Sequence, residues 1–214
     1  MDTEPFKLTV PTVGEVSAKY TAPDRPLCNL TLAHGAGAGM DHYIMEGLAV
    51  LLAEAGVAVL RFNFPFSEQR KRRPDSPAVA QLTIAAAIAK ARTLSPRLPL
   101  IAAGKSFGGR MTSQYLAAHP DSRVDGIIFY GFPLHPAGKP STNRADHLRG
   151  LRVPLLFLQG SRDTLATWEL IQSVCKSLPL ASLVRLEGAD HSFKAGKNLM
   201  LPELVSETMK WISR

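Results

Sequence analysis

The chain has 214 residues, 45% of them hydrophobic and 20% charged, which are values of a folded globular domain and not of a disordered or fibrous one. No stretch approaches the roughly 18 consecutive apolar residues of a membrane-spanning helix. The opening Met1-Asp2-Thr3-Glu4-Pro5 lacks the basic and apolar regions of a signal peptide, so a cytoplasmic protein with no membrane partner is expected. The net charge is +7 and four of the cations form the run Arg70-Lys71-Arg72-Arg73. Neither interleaved aromatics nor a helix-turn-helix pattern accompanies that run, so a nucleic-acid partner is not expected. The two cysteines, Cys28 and Cys175, read as inert core thiols of a reducing compartment.

One domain spanning 1–214 fits the length, with no repeat or linker to divide it. Phe6–Val10 and Glu15–Tyr20 read as an antiparallel opening pair, and Cys28–Ala33 as a strand running into a glycine-rich loop. His42–Ala55 has helical apolar spacing and stops at Gly56. Val57–Phe62 is the next strand, Ala78–Leu94 an alanine-rich helix, Leu100–Ala103 a short strand and Gly108–His119 a helix stopped by Pro120. Val124–Tyr130 and Val153–Gln159 are strands. Thr167–Ser177 is a helix, Ser182–Leu186 a last strand and Leu204–Ser213 an amphipathic closing helix. Strands alternating with helices imply a mostly parallel sheet covered on both faces.

Gly104-Lys105-Ser106-Phe107-Gly108-Gly109 lies between the strand at 100–103 and the helix at 108–119. Gly-x-Ser-x-Gly in that setting is a nucleophile elbow, in which the residues two before and two after the serine must be small. An acid and then a histidine should follow in chain order. Asp163, just past the strand at 153–159, and His191, in the loop after the last strand, fill those places. Asp190 is a rival acid, but its adjacency to His191 turns the two side chains apart. Two nucleotide-binding patterns fail: a Walker A loop ending at Gly104-Lys105-Ser106 would need glycine where Pro99 stands, and a dinucleotide fingerprint from Gly35 would need glycine at Met40.

The segments His34–Gly39, Arg61–Pro65, Gly104–Arg110, Gln159–Asp163 and Gly188–Phe193 together resemble a small α/β-hydrolase of the dienelactone-hydrolase-related kind. The likeness runs from about Leu27 to the C-terminus. It implies the α/β-hydrolase fold, a mostly parallel sheet flanked by helices on both faces, and a serine hydrolase acting on carboxylic esters through an acyl-enzyme. Ser106 is then the nucleophile, His191 its base and Asp163 the residue that orients the base. The backbone N–H groups of Phe107 and Ala36, with Gly37 as second choice for the latter, are the expected oxyanion donors. Residues 131–152 are too few for a lid domain, so the site should be open.

Arg72 and Arg73, in the loop after the fourth strand, and Lys105, beside the nucleophile, are candidate substrate contacts that would favour anionic esters, although Lys105 could equally point to solvent. His34 reads as a structural tether of the oxyanion loop. His42, His119, His135 and His147 read as surface or packing residues. No metal-ligand spacing occurs, and no cofactor is expected. The expected partner is a small-molecule or acyl-ester substrate. Thioester cleavage, acyl transfer, and a non-catalytic scaffold built on the same fold remain open alternatives, as does the oligomeric state.

Overall fold

The computed structural model describes residues 2–214. Its elements in chain order are strands β1 (Asp2–Val10), β2 (Gly14–Ala22) and β3 (Cys28–Ala33), helix α1 (Tyr43–Glu54), strand β4 (Val57–Phe62), and helices α2 (Pro65–Glu68) and α3 (Pro77–Leu94). There follow β5 (Leu100–Lys105), α4 (Phe107–Ala118), β6 (Gly126–Tyr130), β7 (Leu155–Gly160), α5 (Trp168–Lys176), β8 (Ala181–Leu186), the two-residue strands β9 (Lys194–Ala195) and β10 (Asn198–Leu199), and α6 (Leu201–Ile212).

Eight strands form one sheet in the order β1-β2-β4-β3-β5-β6-β7-β8. The hairpin β1–β2 pairs antiparallel and joins β4 antiparallel, and every pairing from β4 to β8 is parallel. The central strands are buried along their whole length, as parallel strands covered on both faces must be. One face packs against α1 and α6 through Leu48, Leu52 and Leu204, and the other against α3, α4 and α5 through Ile84, Met111 and Ile171. This is the layered architecture expected from the alternation of strands and helices.

Local chemistry accounts for the boundaries. His42 caps α1 by accepting from the Ile44 N–H, Ser76 caps α3 by accepting from Val79, and Pro77 occupies the first turn of α3. Gly56, at φ +98°, turns the chain from α1 into β4. Between β6 and β7 the chain forms a 3-10 segment at Asn143–Gly150 and no inserted domain. The sequence pattern does not foresee this segment, nor the one-turn helix α2. Both cysteines are free and buried. Among the described residues no helix is long and apolar enough to cross a membrane.

Candidate active site

The loops that follow β3, β5, β7 and β8 meet at the C-terminal edge of the parallel sheet, where open α/β sheets place their sites. Ser106, between β5 and α4, has φ 50° and ψ −114°, a strained conformation for a residue with a Cβ. The strain is held by close backbone approach. A Cβ on Gly104 would run into the backbone of Gly108 and Gly109, and one on Gly108 into the carbonyls of Ala33 and His34. Only glycine permits a turn this tight. The Ser106 N–H donates to the Tyr130 carbonyl at 3.2 Å, tying the turn to β6.

Ser106 Oγ lies 2.8 Å from Nε2 of His191, and Nδ1 of His191 lies 2.7 Å from Oδ2 of Asp163. Because the carboxylate can only accept, Nδ1 carries the ring proton and Nε2 is left to accept from the serine hydroxyl. Asp163 is buried and follows β7 by three residues. Its Oδ1 accepts from the Leu165 N–H at 2.8 Å and its Oδ2 from Gln159 Nε2 at 2.6 Å. Gln159 is fully buried at the end of β7, and its Oε1 accepts from the Phe132 N–H at 2.9 Å. It therefore locks the carboxylate to the β6 loop. The sequence names no role for Gln159, because nothing in an apolar strand run marks its last polar residue as a partner of Asp163.

The loop carrying His191 is held by Asp190. Its Oδ1 accepts from the N–H groups of Ser192 and Lys194 at 2.8 and 2.9 Å, so the rival acid braces its own loop. Lys105 is half-buried beneath the same loop and lines the Ser106 cavity: its Nζ donates to the His191 carbonyl at 2.7 Å and lies 5.1 Å from the centre of the Phe193 ring. Burial lowers its pKa to about 8, against the upward pull of Asp163 and Asp190.

The glycine-rich loop after β3 faces the elbow. His34 is fully buried, and its Nε2 accepts from the Phe64 N–H at 3.0 Å, so Nδ1 donates to the Gly35 carbonyl at 2.8 Å. Burial depresses its pKa to about 4 and keeps the ring neutral. Arg61, buried in β4, donates to the Met40 carbonyl at 3.1 Å, and Asn63 Oδ1 accepts from the Met40 N–H at 2.8 Å. The loop is thus fastened at both ends. Ala36 lines the same cavity as Ser106 and His191, a space of about 320 Å³. Phe107 occupies the first position of α4, where an N–H has no intrahelical acceptor.

His42 lines this cavity as well, so it belongs to the site and not only to the packing of α1. Burial, and Lys105 nearby, lower its pKa. Of the other histidines, His135 is buried and bonded to Thr167 and Pro136, His147 to Ser113, and His119 to the Tyr115 carbonyl. Arg70, Lys71 and Arg72 line a recess beside the glycine-rich loop. Arg73 is exposed and lines neither space. A cavity of about 610 Å³ lies at the other edge of the sheet, between Leu27, Pro99, Pro154 and Trp211, remote from the serine. Among the described residues no group of three or more histidine, cysteine or acidic side chains is placed to hold a metal ion.

A parallel sheet with a serine on a strained strand-to-helix turn, hydrogen-bonded to a histidine from the last sheet strand's loop, defines an α/β serine hydrolase fold. The chain belongs to the family described as alpha/beta hydrolase domain, whose profile matches residues 27–209. Among solved structures it is similar to an α/β serine hydrolase without lid from Xanthomonas campestris, at 22% identity and TM-score 0.80, over 100% of this chain and 95% of that one. It is similar to dienelactone hydrolase from Anabaena variabilis, at 19% identity and TM-score 0.80, over 99% and 97% of the two chains. A third likeness is to Est1E from Butyrivibrio proteoclasticus, described with ferulic acid bound, at 16% identity and TM-score 0.76, over 98% and 100%. At these identities the likeness is one of fold.

Proposed function

We propose that the protein is a carboxylic-ester hydrolase working through Ser106, His191 and Asp163 by way of an acyl-enzyme. The observation that carries this reading is the unbroken line Ser106 Oγ–His191 Nε2–His191 Nδ1–Asp163 Oδ2, with steps of 2.8 and 2.7 Å, at the wall of an open cavity. A serine hydroxyl is a weak nucleophile until a base can take its proton. His191 Nε2 accepts that proton as Oγ attacks the ester carbonyl, while Asp163 stabilises the imidazolium and fixes its tautomer. The N–H groups of Phe107 and Ala36 are the donors for the oxyanion, and losing one such donor typically costs about 10²–10³ in turnover. Protonated His191 returns its proton to the leaving alcohol, and water activated by the same base then releases the acid. Gln159 acts through Asp163 and is a positioning residue.

The test is labelling with a fluorophosphonate, read by intact mass. One adduct on the wild type that is lost in Ser106→Ala, together with hydrolysis of p-nitrophenyl esters, is the expected result. A folded wild-type protein that takes no label would refute the reading.

A further inference from the structure

The chemistry proposed for Ser106 leaves the run Arg70-Lys71-Arg72 without a role. Among the described residues none of these three cations is within ion-pair distance of a carboxylate. The acids flanking them are engaged elsewhere. Glu68 takes Lys7, the Ser17 N–H and hydroxyl, and Asn63, while Asp75 accepts from the Phe66 N–H at 3.0 Å. The cations stand on a fixed turn. Arg70 has φ 55°, its N–H donates to the Ser67 carbonyl at 3.0 Å, and the Lys71 N–H donates to the Phe66 carbonyl at 2.7 Å. A left-handed arginine is a cost the chain carries to hold this shape.

The recess they line measures about 500 Å³ and is lined also by Ser67. It shares Ala36, Gly37, Ala38 and His42 with the cavity of Ser106, so the two spaces adjoin along the glycine-rich loop. His42 Nδ1 is occupied as acceptor from the Ile44 N–H. In the neutral ring the remaining proton is therefore on Nε2, a donor on the shared wall.

Three unneutralised cations, a hydroxyl and a histidine donor are more than one carboxylate can satisfy. A phosphate monoester brings close to two negative charges and three strong acceptor oxygens. We infer that the substrate is a phosphorylated ester, with its carbonyl at Ser106 and its phosphate in the recess of Arg70, Lys71 and Arg72. The inference rests on the ester-hydrolase reading of Ser106 for its first half and on the recess alone for its second.

The matched probes are 1-butyrylglycerol and 1-butyrylglycerol 3-phosphate, which carry the same acyl ester. The phosphorylated ester should have the higher kcat/KM by about tenfold or more at low salt, the combined effect of two or three exposed charge contacts. Rising ionic strength should erode the preference. In the triple variant Arg70→Ser, Lys71→Ser, Arg72→Ser the ratio should fall to within about twofold, with turnover of the neutral ester unchanged. Equal kcat/KM values in the wild type, or a preference that survives in the triple variant, overturns the inference.

Calorimetry of glycerol 3-phosphate binding to Ser106→Ala, with and without the triple substitution, separates the two halves. Binding that depends on the three cations, in a protein that cleaves neither ester, sinks the hydrolase reading and leaves the recess standing. No binding at millimolar concentration overturns the recess even if neutral esters are cleaved. Binding of a single-stranded oligonucleotide in place of glycerol 3-phosphate also overturns it.

Discussion

Replacing Lys105 with methionine isolates the cost of keeping a cation under the His191 loop. Burial lowers the Lys105 pKa to about 8, against 10.5 for the free side chain. The folded state therefore holds this proton less tightly than the unfolded chain. Its penalty on stability is complete below pH 8 and fades as pH rises towards 10.5. The difference between 10.5 and about 8 corresponds to about 3 kcal/mol at most. Lys105 is only half-buried by surface area, so that figure is an upper bound. Between about pH 7 and pH 9 the linkage relation gives a recovery of about 1.3 kcal/mol for the full shift, and about 1 kcal/mol after allowing for the exposed part. Methionine keeps the stem and binds no proton. The stability difference, Lys105→Met minus wild type, should therefore shrink by about 1 kcal/mol from pH 7 to pH 9. Cys28, Cys175 and Tyr130, whose pKa values burial raises, pull stability down at alkaline pH but are common to both proteins and cancel. Urea unfolding followed by tryptophan fluorescence at the two pH values measures the difference. A gap that is the same at both would refute a buried, cationic Lys105.

Two further outcomes follow from the hydrogen bonds around the site. Gln159→Leu leaves the Phe132 N–H and one lone pair of Asp163 without partners, so stability should fall by about 1–3 kcal/mol. Its kcat on an activated ester should fall about tenfold or more and the acid limb of its pH profile should move. His34 is neutral in the fold, with a pKa near 4 against 6.5. Charging it in the unfolded chain therefore removes up to about 3 kcal/mol of stability as pH falls from 6.5 to 4. His34→Gln should flatten that acid slope in a pH series of unfolding midpoints, and an unchanged slope would exclude His34 as its source.

How far the sequence reaches depends on what specifies each feature. The bounds of Cys28–Ala33 and Val57–Phe62 can be read to the residue, since short apolar-rich runs bounded by turn or glycine residues suit doubly covered strands even where Asn29, Thr31 and Arg61 interrupt them. The loop positions of Ser106, Asp163 and His191 can be read as well, because chain order and strand ends constrain them. The segment Asn143–Gly150 cannot, for Asn-Arg-Ala-Asp-His-Leu-Arg-Gly has no helical period and its 3-10 turns answer to contacts with α4. The placement of Lys105 beneath the His191 loop is equally hidden, since its acceptor lies 86 residues away. His42 reads as a surface or packing residue because no motif in the sequence around it marks a role, and only the folded loop brings it to the wall that Ser106 shares.

The order of the sheet has a consequence for how the protein can change. Ser106, Asp163 and His191 hang from β5, β7 and β8, whereas the basic loop hangs from β4, which supplies none of them. The two halves are coupled where Asn63 and Phe64 bond the glycine-rich loop through Met40 and His34. On the proposed reading, variation beyond Phe66 therefore reaches the phosphate recess but not Ser106 and His191, while variation at 61–64 reaches both. If the recess selects the substrate, a lineage built on this frame exchanges one clientele for another by rewriting a single loop, leaving its reaction intact.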